Sequence, residues 1–129
     1  MKFAIQINTS PYQSQGGYSA YQFIKAAIAQ KHQIIRVFFY HDGIYHAFKY
    51  NTPPDDEQYS SKQWTNLAQQ NDIDLVVCIS AAQRRGLLVV DEAKRQGKLD
   101  NDLANGFRIS GLGQLVEAVI LADRFIVFG

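Results

Sequence analysis

Ile73-Asp74-Leu75-Val76-Val77-Cys78 is apolar at five of its six positions, with no alternation. A short run that is apolar on both faces suits a strand of a parallel sheet covered by helices on both sides. Four more runs read as strands: Lys2–Asn8, Ile34–Tyr40, Phe107–Ser110 and Arg124–Phe128. Helical spacing lies between them. Ala20, Phe23, Ile24, Ala27 and Ile28 share one helical face, and so do Leu112, Leu115, Val116, Val119 and Ile120. Gly16-Gly17 marks a loop before the first of these helices. Another helix covers Ser60–Gln70, with Trp64, Leu67 and Ala68 inward. A fourth starts after Cys78, where Ser80 and Gln83 have capping-box spacing. It breaks near Gly86 and resumes over Asp91–Gln96, with Gly97 as a stop signal. Strand and helix thus alternate, which predicts an α/β fold. The expected form is a three-layer α/β/α domain around a mostly parallel five-stranded sheet, with Ile73–Cys78 as its central strand.

The 129 residues make one domain, 1–129, large enough to build a core without disulfides or metals. With 47% hydrophobic and 19% charged residues the composition is globular. The net charge of +1 provides no bulk attraction for nucleic acid. Cys78 is the single cysteine, so an internal disulfide and a Cys-built zinc site are excluded. No apolar run reaches the roughly 20 residues of a membrane helix, and Met1–Ile5 does not read as a signal peptide. The default compartment is the cytoplasm, where a lone thiol stays reduced. His41–Tyr59 is long for a strand-to-helix connection, and its Tyr45, Phe48 and Tyr50 favour an interface.

Ligands of parallel sheets bind outside the carboxyl ends of the strands. Cys78 ends its strand and the next helix begins just beyond, so the N–H groups of Ser80 to Ala82 are the expected anion stabilisers. Helix N-termini and nearby cations favour thiolates. Arg84 and Arg85 lie about a turn further on, which suits a structural or partner-facing role. The alternative is that Cys78 packs as a small apolar side chain. Thr9-Ser10-Pro11 and Ser110-Gly111-Leu112-Gly113 follow strands and offer weak phosphate cradles. His32 reads as a helix-end cap, His41 follows a strand, and His46 sits in the long loop. None has a metal-ligand partner spacing, and surface placement is expected for all three. Asp55-Asp56-Glu57 reads as a solvated loop.

Three segments together carry a resemblance. They are Phe38-Phe39-Tyr40-x-x-Gly43-Ile44-Tyr45, then Cys78-Ile79-Ser80-Ala81-Ala82-Gln83-Arg84-Arg85-Gly86, and Ser110 to Ala118 followed by Ala122-Asp123-Arg124. With the first strand and the Tyr18–Ile28 helix, the chain resembles the TusD/DsrE family of sulfur-relay proteins over nearly its whole length, its TusD branch above all. The Cys-x-x-Ala-Ala-x-Arg-Arg-Gly segment is the most specific match. The chain departs from the family at Leu87-Leu88-Val89-Val90, where members reach an acidic residue sooner, and at His41 and His46, which are variable positions.

The resemblance implies a DsrE-like fold and a sulfurtransferase that carries persulfide sulfur on Cys78. It implies no cofactor and no metal. It also implies a heterohexamer with TusB-like and TusC-like sister subunits, a TusA-like donor and a TusE-like acceptor. The setting implied is 2-thiolation of the tRNA wobble uridine, with partner proteins meeting the tRNA. Three alternatives stay open: a DsrE-like subunit of dissimilatory sulfur metabolism, a flavin- or nucleotide-binding module, and a structural subunit with an inert Cys78.

Overall fold

The computed structural model of the chain describes residues 1–56 and 61–129. Glu57 and Tyr59 of the long connection, and Ser60 at the expected start of a helix, lie outside the described residues. The strands are β1 (Lys2–Ile7), β2 (Gln33–Phe39), β3 (Leu75–Cys78), β4 (Phe107–Ser110) and β5 (Arg124–Phe128). The helices are α1 (Gly16–Ala29), α2 (Ser61–Asn71), α3 (Ile79–Arg84), α4 (Val90–Arg95) and α5 (Gly113–Leu121). A 3-10 helix, His41–Ala47, follows β2.

The sheet runs β4-β3-β2-β1-β5, and each neighbouring pair is parallel. The α/β architecture therefore stands, with one correction. β3 is the second strand from an edge, and β2 holds the centre. The low position of β3 in the sheet is not readable from its apolar run, because any strand covered on both faces reads the same way.

The two faces of the sheet differ. On one, Phe3 meets Phe23 of α1 edge-on with ring centroids 5.3 Å apart. On the same side Phe39 meets Trp64 of α2 at 5.2 Å. Trp64, Phe39, Ile5, Ile7, Ile24 and Leu75 are all fully buried there. The other face carries α5, and its sheet side chains include charges. Asp74, just before β3, accepts from Arg36 Nε at 2.6 Å and from Arg108 Nε at 2.8 Å. Arg36 also donates to the Gln114 carbonyl, and Arg108 to Gln114 Oε1, each at 2.8 Å. The two guanidiniums, Arg108 first, hold the Asp74 carboxyl below the usual carboxylate range against the opposing effect of burial.

That polar network rotates α5 away from its expected orientation. Gln114 and Glu117 turn toward the sheet to meet Arg36 and Arg108. Of α5, Ala118 alone is buried. The apolar stripe splits: Leu115 packs against the core, while Leu112, Val116, Val119 and Ile120 face outward, with Ile120 76% exposed. Phe125 and Val127 of the edge strand β5 are exposed as well.

Helix ends follow local chemistry. Gly86 lies in the left-handed region at φ +85°. Around it Leu87 N–H reaches the Ala82 carbonyl at 2.9 Å and Gly86 N–H reaches Gln83 at 3.2 Å, a Schellman ending for α3. Gly97 ends α4 in the same way, at φ +83°. Two expectations fail here. Ser80 is not an N-cap, since α3 begins at Ile79 and Cys78 occupies the cap position with no side-chain cap bond. Gly16 and Gly17 open α1 instead of preceding it. A Cβ on Gly16 would stand 2.6 Å from Thr9 Oγ1, so close packing against the end of β1 accounts for this glycine.

Candidate functional site

Cys78 is the last residue of β3 and the cap residue of α3, with extended backbone (φ −64°, ψ 122°). It pairs with Ser110 at the end of β4. Side chains alternate along a strand, so Asp74, Val76 and Cys78 share a face, and the Asp74 network places that face on the α5 side. The backbone N–H groups that open α3 are the ones left without intrahelical carbonyls. Cys78 itself is 1% exposed and belongs to the buried core cluster.

The 3-10 helix packs against both α3 and the end of β3. Arg85 fastens it there: its Nε donates to Asp42 Oδ1 at 2.9 Å, and its Nη1 donates to the Ala81 carbonyl at 3.0 Å. Arg85 is thus a structural brace between two segments that flank Cys78. Arg84 is exposed in the last turn of α3. Gly43 is pressed onto β1, since a Cβ there would meet the Ile7 carbonyl oxygen at 2.0 Å. The first half of the long connection is therefore folded core, with Gly43, Ile44, His46 and Ala47 buried. Tyr45 and Tyr50 remain exposed, and Phe48 is half-buried.

The histidines separate. His41 is exposed and stacks on Tyr40, with centroids 4.1 Å apart. His32 is half-buried and places Nδ1 2.9 Å from the N-terminal ammonium, so it does not cap helix carbonyls with its ring. His46 contradicts the surface expectation: it is 1% exposed, against Phe39 and Trp64. Its Nε2–H donates to the Thr9 carbonyl at 2.9 Å. Burial lowers its pKa to about 4 despite that bond, so the ring is neutral at pH 7 and ties the chain after β1 to the 3-10 helix. An isolated histidine in a loop gives no sequence signal for such burial.

Thr9, Ser10 and Pro11 line an open groove of about 570 Å³ with Asn8, Asp42 and Tyr45. It lies at the carboxyl end of β1, and Cys78 is not among its lining residues. Ser110 to Gly113 form the turn into α5, where Leu115 N–H reaches the Leu112 carbonyl at 3.0 Å. Asp55 and Asp56 are exposed, as expected. Among the described residues, no group of three His, Cys, Asp or Glu is arranged to hold a metal ion. No helix among them is long and apolar enough to cross a membrane. Two features at the site escaped sequence reasoning. One is the Asp42–Arg85 brace, which joins residues 43 apart in the chain. The other is Tyr40, whose position follows from strand register alone.

Residues 1–128 match the DsrE/DsrF-like family. A protein of Allochromatium vinosum that bears the sulfurtransferase name DsrE is 55% identical over 129 residues, covering 100% of this chain and 99% of the relative. A sulfurtransferase TusD homolog of Vibrio parahaemolyticus is 41% identical over 99% of this chain and 98% of its own. Sulfurtransferase TusD of an Enterobacter species is 38% identical over 99% of this chain and 100% of its own. The crystal structure of the ychN protein from E. coli shares the fold, with a TM-score of 0.79 over 99% of both chains at 21% identity. The chain therefore belongs to the DsrE/DsrF-like family, and its enzyme class is that of the sulfurtransferases with which it aligns from end to end.

Proposed function

We propose that the chain, as a single relay domain over residues 1–129, carries sulfur as a persulfide on Cys78. One observation carries the reading: the sole cysteine ends a parallel strand at the opening of a helix, in a chain that matches sulfurtransferases throughout. The Cys78 thiolate attacks the outer sulfur of a donor persulfide. A new S–S bond forms at Sγ, the donor S–S bond breaks, and the donor leaves as a thiolate. No net oxidation occurs, and the outer sulfur is handed on by the same exchange in reverse. A single cysteine suits this role, because a neighbouring thiol would discharge the persulfide as a disulfide and sulfide.

A TusA-like protein is the donor and a TusE-like protein the acceptor in this reading. The uncovered apolar surface of α5 and β5 supports assembly with sister subunits, since a contiguous exposed apolar patch on a soluble domain marks an interaction site. The setting is cytoplasmic, in wobble-uridine 2-thiolation or in dissimilatory sulfur metabolism. Identity of 55% to a DsrE, against 41% and 38% to TusD proteins, favours the second setting. Restoration of tRNA 2-thiolation in a strain lacking TusD would reverse that preference.

Intact-protein mass spectrometry after incubation with a loaded persulfide donor tests the carrier step. The wild-type chain gains about one sulfur mass, lost on reduction, and Cys78→Ser gains none. A sulfur gain on Cys78→Ser would overturn the proposal.

A further inference from the structure

Persulfide exchange requires an incoming sulfur to reach Sγ, yet Cys78 is 1% exposed. Strand register shows what stands beside it. Phe38 pairs with Val76 and Phe39 with Val77, so Tyr40 continues β2 next to Cys78, while Ser110 flanks it from β4. Phe38 and Tyr40 meet edge-on, with centroids 6.0 Å apart. The Tyr40 ring therefore lies on the Phe38 face, the face shared by Val76 and Cys78. Parallel strands run about 4.8 Å apart, which puts an aromatic side chain within reach of its same-face neighbour.

The surroundings divide into fixed and movable parts. Gly43, Ile44, His46 and Ala47 are buried, and Gly43 is wedged against the Ile7 carbonyl, so the 3-10 helix is anchored in the core. Ahead of them stands a pair of rings at the surface. Tyr40 is half-buried and stacks on exposed His41 with 14° between the planes. His41 has φ +48°, a left-handed backbone that few non-glycine residues adopt. Such strained positions cluster where a chain must hold a functional geometry.

We propose that Tyr40, held in place by its stack on His41, shields the Cys78 thiol, and that rotation of this ring pair admits partner sulfurs while the 3-10 helix stays docked. The role of the opening in sulfur transfer rests on the carrier reading of Cys78. The shielding does not, and it is tested apart from sulfur loading.

The test is the rate of Cys78 alkylation by iodoacetamide in the folded full-length chain. Tyr40→Ala is expected to react roughly tenfold faster than wild type, and His41→Ala at least about threefold faster, because each lowers the cost of a local opening. Tyr40→Phe keeps the ring and the stack and reacts at the wild-type rate. Leu67→Ala, a core truncation in α2, controls for general loosening. Wild-type rates in both Tyr40→Ala and His41→Ala would overturn the proposal. So would an acceleration no greater than that of Leu67→Ala at equal loss of stability. Faster alkylation in variants of which none loads sulfur would retain the shield and reject the carrier reading.

Discussion

With its Nε2–H given to the Thr9 carbonyl and its ring enclosed, His46 titrates at about 4 rather than near 6.5. Its folded pKa is depressed, so the stability it contributes is complete above about pH 6.5 and is lost as pH falls toward 4. The unfolded chain takes up the proton first, and the full difference approaches about 3 kcal/mol. Denaturant unfolding at pH 7 and pH 4.5 should show that His46→Phe flattens this loss relative to wild type. Equal losses in the two proteins would contradict the assignment. Gly43 is the second decisive residue. The Ile7 oxygen that a Cβ would strike is already fixed by the Tyr40 N–H at 2.9 Å, so the strand cannot yield. Gly43→Ala should cost about 2–3 kcal/mol, by analogy with overpacking, and thermal unfolding at neutral pH measures it. An unchanged Tm would show that the 3-10 helix is not wedged against β1.

Elements were legible where one physical cause controlled them. Short runs rich in Ile, Val and Phe made the five strands readable, β4 and β5 at their observed bounds and the others with ends shifted by one or two residues, and Gly86 and Gly97 stopped α3 and α4 through left-handed geometry. The placement of Cys78 at the end of β3 followed from the same apolar run. Legibility failed where a second element decides. The apolar period of α5 is real, but Arg36 and Arg108 on the sheet recruit Gln114 and Glu117, and all of the stripe except Leu115 turns outward. Asp74 inside its apolar run was the visible sign of that network. The burial of His46 and the position of Tyr40 depend on how the 3-10 helix crosses β1 and on strand register, which no local pattern encodes. The outward stripe gives a prediction at this scale. Ile120→Glu should leave the Tm of the isolated chain within a few degrees of wild type, because the side chain is already in solvent. It should weaken assembly with sister subunits, read by sedimentation. Unaltered assembly would remove α5 from the interface.

For the molecule as a whole, the parallel sheet brings the end of β3, the opening of α3, the Arg85–Asp42 brace and the Tyr40–His41 stack to one edge. In this account a rigid frame holds one thiol, and a small surface movement exposes it to other proteins. The most direct measurement is sulfur hand-over in a single turnover. The chain is loaded at Cys78, freed of donor, and mixed with a reduced TusE-like acceptor while both intact masses are followed. The chain should lose about one sulfur mass as the acceptor gains it in equal amount. Sulfur that stays on the chain, or leaves as sulfide without appearing on the acceptor, would contradict it.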